Sequence, residues 1–178
     1  MFEFLLSFIF FFLILLFLIF LLWRFNTRKY ITSGTVASAY DAWTQDKLLE
    51  RLWGEHIHLG YYSPNRKNCD FRKAKVQLVH ELVRWSGLDK LPKGSRVLDV
   101  GCGIGGSSRI LAQHYGFNVT GITISPAQVK RARELTPYSV NCNFQVMDAL
   151  NLKFEDGSFD AVWSVEAGAH MNDKTRFA

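Results

Sequence analysis

Val97-Leu98-Asp99-Val100-Gly101-Cys102-Gly103-Ile104-Gly105-Gly106 is the stretch that decides the fold. A short apolar strand carrying one carboxylate runs straight into a glycine-rich turn, and a helical pattern from Ser107 to Tyr115 follows, stopped by Gly116. Glycines between a strand and a helix let bare backbone approach a ligand, so these ten residues predict a nucleotide-like cofactor site.

Working outward, strand and helix alternate. Strands are predicted at Arg96–Val100, Asn118–Ile122, Phe144–Met147 and Phe159–Ser164, the last after an Asp156-Gly157 turn. Ser125-Pro126 supplies an N-cap and a first-turn proline for a helix running to Thr136. Strands spaced by helices imply βαβ units and an α/β, Rossmann-like, doubly wound parallel sheet. Only four strands are visible before Ala178, so the sheet is expected to be incomplete. Upstream, Tyr40 to Trp53 reads as a loosely amphipathic helix and Glu55 to Asn68 as an irregular loop. Asp70 can cap a helix with the apolar stripe Phe71, Ala74, Leu78, Val79, Leu82 and Trp85, ended by Gly87.

Phe4 to Trp23 is Phe, Leu, Ile or Trp throughout except for Ser7. Twenty helical residues span about 30 Å, the thickness of a bilayer core, so one N-terminal transmembrane helix is expected. Glu3 and the length of the run argue against a cleaved signal peptide, and the small-residue site Ala37-Ser38-Ala39 lies far beyond it. Arg24, Arg28 and Lys29 follow the span, which places the remaining chain on the cytoplasmic side as a single-pass protein. The expected organisation is an anchor at 1–25, a linker and helical cap at 26–95, and a partial cofactor domain at 96–178.

The net charge of +5 is scattered. Lys73, Lys75, Lys130, Arg131 and Arg133 read as the wet faces of helices, and no basic stripe with interleaved aromatics points to nucleic acid. Cys69, Cys102 and Cys142 lack C-x-x-C spacing, which argues for a reducing compartment without a zinc or disulfide framework. No metal site is expected, since the His56-x-His58 pair has no further ligands at suitable spacing. The sequence leaves the oligomeric state open.

Gly101, Gly103 and Gly106 satisfy G-x-G-x-x-G, the dinucleotide fingerprint. Two features weigh against a nicotinamide enzyme, which stays the alternative of another class. Asp99 stands where such strands end in apolar residues, and a buried carboxylate calls for a donor or a cationic ligand. No acid lies between Asn118 and Val129 to meet a ribose diol.

Val97 to Gly106 resembles motif I of class I S-adenosylmethionine-dependent methyltransferases. Gly121-Ile122-Thr123-Ile124-Ser125-Pro126-Ala127-Gln128 is similar to the branch that holds sterol, cyclopropane-fatty-acid and tocopherol-pathway enzymes. Trp53-Gly54-Glu55-His56-Ile57-His58-Leu59-Gly60 and Trp163-Ser164-Val165-Glu166-Ala167-Gly168-Ala169-His170-Met171 look like the paired signatures of methyl-phytyl-benzoquinol methyltransferases. The resemblance implies S-adenosylmethionine as cofactor, a prenylated quinol lipid as substrate and a membrane as partner. Gamma-tocopherol or sterol-type methylation is the alternative within the same chemistry. A non-catalytic fragment is another, because the family's later strands and C-terminal region are missing.

In this reading Gly101, Gly103 and Gly105 clear space for the cofactor, and Asp99 holds the ammonium of its amino-acid tail. Thr123 and Gln128 approach it from the second turn, Asp148 takes the adenine amine, and Ser164 completes the set. The plainer readings are a turn former for Asp148, carrying less weight than the adenine contact, and helix–strand packing for Gly106, weighing about the same as a cofactor role. Methylating a quinol ring requires loss of a hydroxyl proton and a ring proton, for which His170, Glu166 and His58 are the candidates. The plainer reading of His56 and His58 is loop packing. Tyr40 and Trp43 fit either a pocket wall or a helix core, and His80 and His114 are taken as structural.

Overall fold

The computed structural model describes residues 2–25, 32–63 and 70–178, and on the first helix the side chains from Phe8 to Leu21. Arg28, Lys29 and Cys69 therefore lie outside the described residues. Helix α1 spans Phe2–Phe25. Its described side chains from Phe8 to Phe20 are all exposed. Among the described residues no helix is long and apolar enough to cross a membrane. The expected transmembrane span is therefore not met among the described residues.

Helix α2 is Ser33–Gln45 and α3 is Leu48–Trp53. The single helix expected from Tyr40 to Trp53 is thus broken, at Lys47, which takes a left-handed φ of 54°. The start lies earlier than expected because Thr32 and Thr35 form a reciprocal capping box. Helix α4, Phe71–Ser86, begins at Asp70, whose carboxylate accepts from the Arg72 backbone N–H, and ends at Gly87 in the left-handed conformation. Its buried face is Ala74, Lys75, Val79 and Val83, whereas Phe71 and Trp85 of the expected stripe are exposed. Lys75 was expected on the wet face; it is buried because its ammonium meets two main-chain carbonyls.

Four parallel strands follow: β1 Arg96–Val100, β2 Asn118–Thr123, β3 Cys142–Val146 and β4 Ala161–Trp163. They lie in the order β3-β2-β1-β4. Helix α5, Gly106–Tyr115, joins β1 to β2, and α6, Pro126–Leu135, joins β2 to β3. Ser125 accepts from the Gln128 N–H and Pro126 opens the first turn, as the sequence signalled. The chain then jumps from β3 past two strands to β4, placing the topological switch between β1 and β4. Ligands in such sheets bind beyond the carboxyl ends of the strands at that point. A short helix α7, Lys174–Phe177, lies after β4.

One face of the sheet packs Val97, Val119 and Trp163 against Val79 and Val83 of α4 and Ile110 and Leu111 of α5. Leu98, Val100 and Ile122 face the other way and are covered by Met147, Phe154 and Phe159 of the β3–β4 connection and by Phe177. Phe144 is fully buried with Cys102, Val129 and Ala132 under α6. Its ring would also lie 2.6 Å from a Cβ at Gly105. Phe144→Ala should therefore lower stability by about 3–5 kcal/mol, read as a drop in the urea midpoint with unchanged slope.

Candidate active site

The glycine turn is tied to β2 before it reaches any ligand. The backbone N–H groups of Gly101 and Cys102 both donate to the Ile122 carbonyl, at 2.9 and 3.0 Å. The three glycines of the turn then divide their work. A Cβ at Gly101 would sit 2.4 Å from that of Ala167, so Gly101 admits the segment after β4. Gly105, with φ 81°, is packed against Phe144 and Arg109. Gly103 has φ 56° and nothing within 4 Å of a Cβ, so it alone of the three opens onto free space. Gly106 lines the cleft and also makes room for the N-terminal loop: its Cβ would meet the Glu55 carbonyl at 2.8 Å and the His56 ring at 2.9 Å.

A cleft opens beyond the carboxyl ends of β1, β2 and β4. Asp99, Gly101, Gly103, Thr123, Gln128 and Asp148 line it, and so do His58, Glu166 and His170. Two expected cofactor residues are not brought there. Gly105 is spent on core packing, and Ser164 turns away, its hydroxyl donating to the Val100 carbonyl at 3.0 Å. Among the described residues no group of His, Cys, Asp and Glu could hold a metal.

Asp99 is buried at the end of β1, where its carboxylate accepts from Ser108 Oγ at 2.6 Å. Burial pushes the carboxyl up to about 6, against the Ser108 bond, which pulls it down. Its register partner on β4 is Trp163, whose buried indole Nε1 has no hydrogen-bond partner among the described residues. Thr123 and Gln128 are joined by a 2.6 Å bond from the Thr hydroxyl to the Gln carbonyl oxygen. Asp148 accepts from the Leu150 N–H at 2.9 Å, so the turn reading holds while the residue also lines the cleft.

The opposite wall comes from the N-terminal segment. Arg109 is buried and donates to the Ile104 carbonyl at 2.8 Å and to Glu55 at 2.6 Å. Lys75 donates to the carbonyls of Trp53 and His56, at 3.0 and 2.8 Å. Asp41 of α2 accepts from Ser125 Oγ and from the Ala127 N–H, placing a carboxylate at the positive end of α6. Arg131, expected in solvent, instead grips Glu50 with two bonds of 2.8 and 2.7 Å and holds that carboxyl below its usual range. None of these contacts has a local sequence signal.

Donor and acceptor bookkeeping fixes the two loop histidines. His58 Nδ1 lies 2.7 Å from the Leu59 carbonyl, which can only accept, so Nδ1 carries the proton. Neutral His58 then accepts at Nε2 from His56 Nδ1, 3.1 Å away. Burial, then the neighbouring His58, Arg109 and Lys75, hold His56 down at about 3. His58 is likewise lowered, mainly by burial. With both ring nitrogens occupied, His58 braces the loop. His170 instead shares a 2.8 Å hydrogen bond with the Tyr40 hydroxyl, their rings edge to face. Glu166 accepts from the Leu59 N–H at 3.0 Å from a backbone φ of 57°. Tyr40 is thus a pocket wall, and Trp43 stacks edge-on behind it.

This doubly wound sheet with a cleft at its switch point defines a Rossmann-like architecture with a site for a nucleotide-like ligand. Residues 97–178 match the family model described as a methyltransferase domain. The 2-methyl-6-phytyl-1,4-hydroquinone methyltransferase of Synechocystis sp. is 61% identical over 157 residues, 88% of this chain and 49% of its own length. The chloroplastic tocopherol O-methyltransferase of Arabidopsis thaliana is 44% identical over 140 residues, 73% of this chain and 40% of its own length. The chain thus spans half or less of these curated relatives. The crystal structure of the [4+2]-cyclase SpnF matches with a TM-score of 0.71 and 30% identity, over 82% of this chain and 53% of that one.

The Asp99 carboxyl holds its proton to about pH 6 in the folded protein and to about 4 when unfolded. Its contribution is therefore fully present below about pH 4 and lost as pH rises to about 6. Relative to the native protein, Asp99→Asn should gain stability across that window and then level off, measured by urea unfolding at stepped pH. A pH-independent difference would refute the assignment.

Proposed function

We propose that the chain is the cofactor-binding part of an S-adenosylmethionine-dependent C-methyltransferase acting on a prenylated benzoquinol. The observation that carries the reading is the cleft floor, lined together by Asp99, by Trp163, whose N–H has no partner among the described residues, and by the open Gly103 backbone. A buried acceptor, a buried donor without a partner and a cradle free of side chains fit a zwitterionic, cationic cofactor. Asp99 would hold the ammonium and Trp163 an acceptor oxygen, while Thr123, Gln128 and Asp148 line the same cleft. Gly105 and Ser164 support the cofactor only through the turn and strand they pack.

When bound, S-adenosylmethionine supplies an electrophilic methyl group on sulfonium. The chain's own work is to orient the ring and handle protons. His170, held by Tyr40, would take the phenolic proton, which makes the ortho carbon nucleophilic; once the new C–C bond forms, the ring proton at that carbon is lost to water and His170 returns its proton to the oxygen, for a net release of one proton. Glu166 and His58 shape the wall beside it. The prenylated substrate is supported by the 61% identical relative, which is named for a phytyl hydroquinone. The same lipid argues for a membrane setting. Helix α1, at 24 residues, reaches about 36 Å and carries exposed Phe, Leu and Ile, so we place it in the bilayer with the catalytic part on the cytoplasmic face.

Supplying labelled S-adenosylmethionine with a phytylated quinol tests the reaction, with γ-tocopherol and a sterol as competing acceptors and product position read by mass spectrometry. Gly103→Val should abolish S-adenosylhomocysteine binding by calorimetry. His170→Gln should keep that affinity and lower turnover by about 10²–10⁴. Equal loss of affinity and turnover would remove His170 from proton transfer.

A further inference from the structure

The cleft has an apolar rim that the proposed chemistry does not use. On α3, Leu48 and Leu52 are one helical turn apart and point outward, Leu52 being 61% exposed. Trp53 lies beside Phe71, with ring centroids 6.0 Å apart. The extended segment Ile57 to Tyr62 continues this surface, because the Tyr61 N–H donates to the Ala74 carbonyl one turn along α4 from Phe71. In that segment Leu59 is 69% and Tyr62 55% exposed. The patch reaches the cleft itself, since Ile57 and His58 line it.

The charges around this rim are sorted by sign. Its acids are turned inward or spent on backbone: Glu50 pairs with Arg131, Glu55 with Arg109, and Asp46 and Asp70 accept from the N–H groups of Leu48 and Arg72. Lys47, Arg51, Arg72 and Lys73 are all exposed, and among the described residues none is in contact with a carboxylate, Lys47 acting on Glu50 only at longer range. Arg72 lies over the Phe71 ring at 5.2 Å and donates to the carbonyls of Arg51 and Leu52, which holds a cation at the edge of the apolar surface. Exposed Leu and Ile beside Trp and Tyr, fringed by unpaired cations, is the composition of a surface that sits in the headgroup layer.

We propose that α3 and residues 57–62 form a lipid-facing rim that seats on an anionic bilayer and brings the cleft mouth to the acyl boundary. The proposal rests on the lipid-substrate reading above. It adds to it a second membrane contact, separate from α1, through which a prenylated ring could pass from the bilayer into the cleft without crossing water.

The test uses the full chain on phosphatidylcholine vesicles with and without phosphatidylglycerol, with Trp53→Phe isolating the emission of Trp53. If the rim sinks about 5–10 Å, lipids brominated near the headgroup should quench about half or more of the Trp53 signal. Quenching should be weaker on neutral vesicles. Leu48→Glu with Leu52→Glu should remove it while S-adenosylhomocysteine affinity stays unchanged, which reports an intact fold. Unquenched Trp53 in vesicle-bound native chain overturns the proposal. So does Trp53 burial that rises with protein concentration without lipid, which would assign the rim to a second copy. Quenching with no methyl transfer to a water-soluble short-tail quinol would sink the proposed reaction and leave the rim standing.

Discussion

The site depends on one buried cation. Arg109 lies on α5 with its guanidinium almost closed off from solvent, and it bonds the Ile104 carbonyl in the glycine turn, the Thr136 hydroxyl after α6 and the Glu55 carboxylate of the N-terminal loop. Three segments distant in sequence therefore converge on one planar donor fork. A guanidinium suits this better than an ammonium because its donors are fixed in direction and it stays charged. Removing a partner from a buried charge costs about 3–5 kcal/mol, far more than a surface pair is worth. The Glu55 carboxylate is 48% exposed and screened on its outer side, so its share of that figure is smaller, and the loop is held by all of these bonds together. Gly106 makes this possible by leaving room for Glu55 and His56 to lie on the helix start.

The sheet was legible because its signals are local. The apolar strand before Gly101, the Ser125-Pro126 cap and the Gly116 and Gly87 stops each act within a few residues, and each element falls within a residue or two of its expected place, apart from β4, which is shorter. The cleft lining was legible for a different reason: in a doubly wound sheet the switch point alone fixes which strand ends converge. The N-terminal wall was not. Lys75, Arg131 and Asp41 look like surface charges in sequence, and only tertiary contacts with carbonyls, Glu50 and the start of α6 make them structural. The break at Lys47 was equally hidden, since a left-handed lysine has no sequence signature.

The glycines show how a motif can be right in pattern and wrong in detail. Gly101, Gly103, Gly105 and Gly106 lie within six residues, yet their missing side chains make room for a neighbouring loop, open space, a Phe ring and a histidine respectively. A fingerprint records that backbone must come close to something. It does not say to what. The same limit applies to the fold as a whole, since a [4+2]-cyclase shares it at a TM-score of 0.71, and function has to be argued from the groups in the cleft.

Those groups separate by hydrogen-bond capacity. His56 and His58 form a closed donor–acceptor chain that ends on the Leu59 carbonyl, and burial keeps both neutral. His58, with both nitrogens committed, has no lone pair to offer a substrate, and His56 is fixed in orientation by the bond its Nδ1 donates. Leu59, which ends that chain with its carbonyl, donates its N–H to Glu166, so the brace continues across the cleft mouth to the segment after β4. His170 stands outside this chain, bonded to a hydroxyl that can either donate or accept. A tyrosine partner of that kind lets the imidazole change protonation without losing its orientation, which a carbonyl partner does not. Of these three histidines, His170 is the one whose hydroxyl partner fixes no tautomer, which is why the proposed reaction assigns it the proton, while the two signature histidines upstream hold the wall beside it.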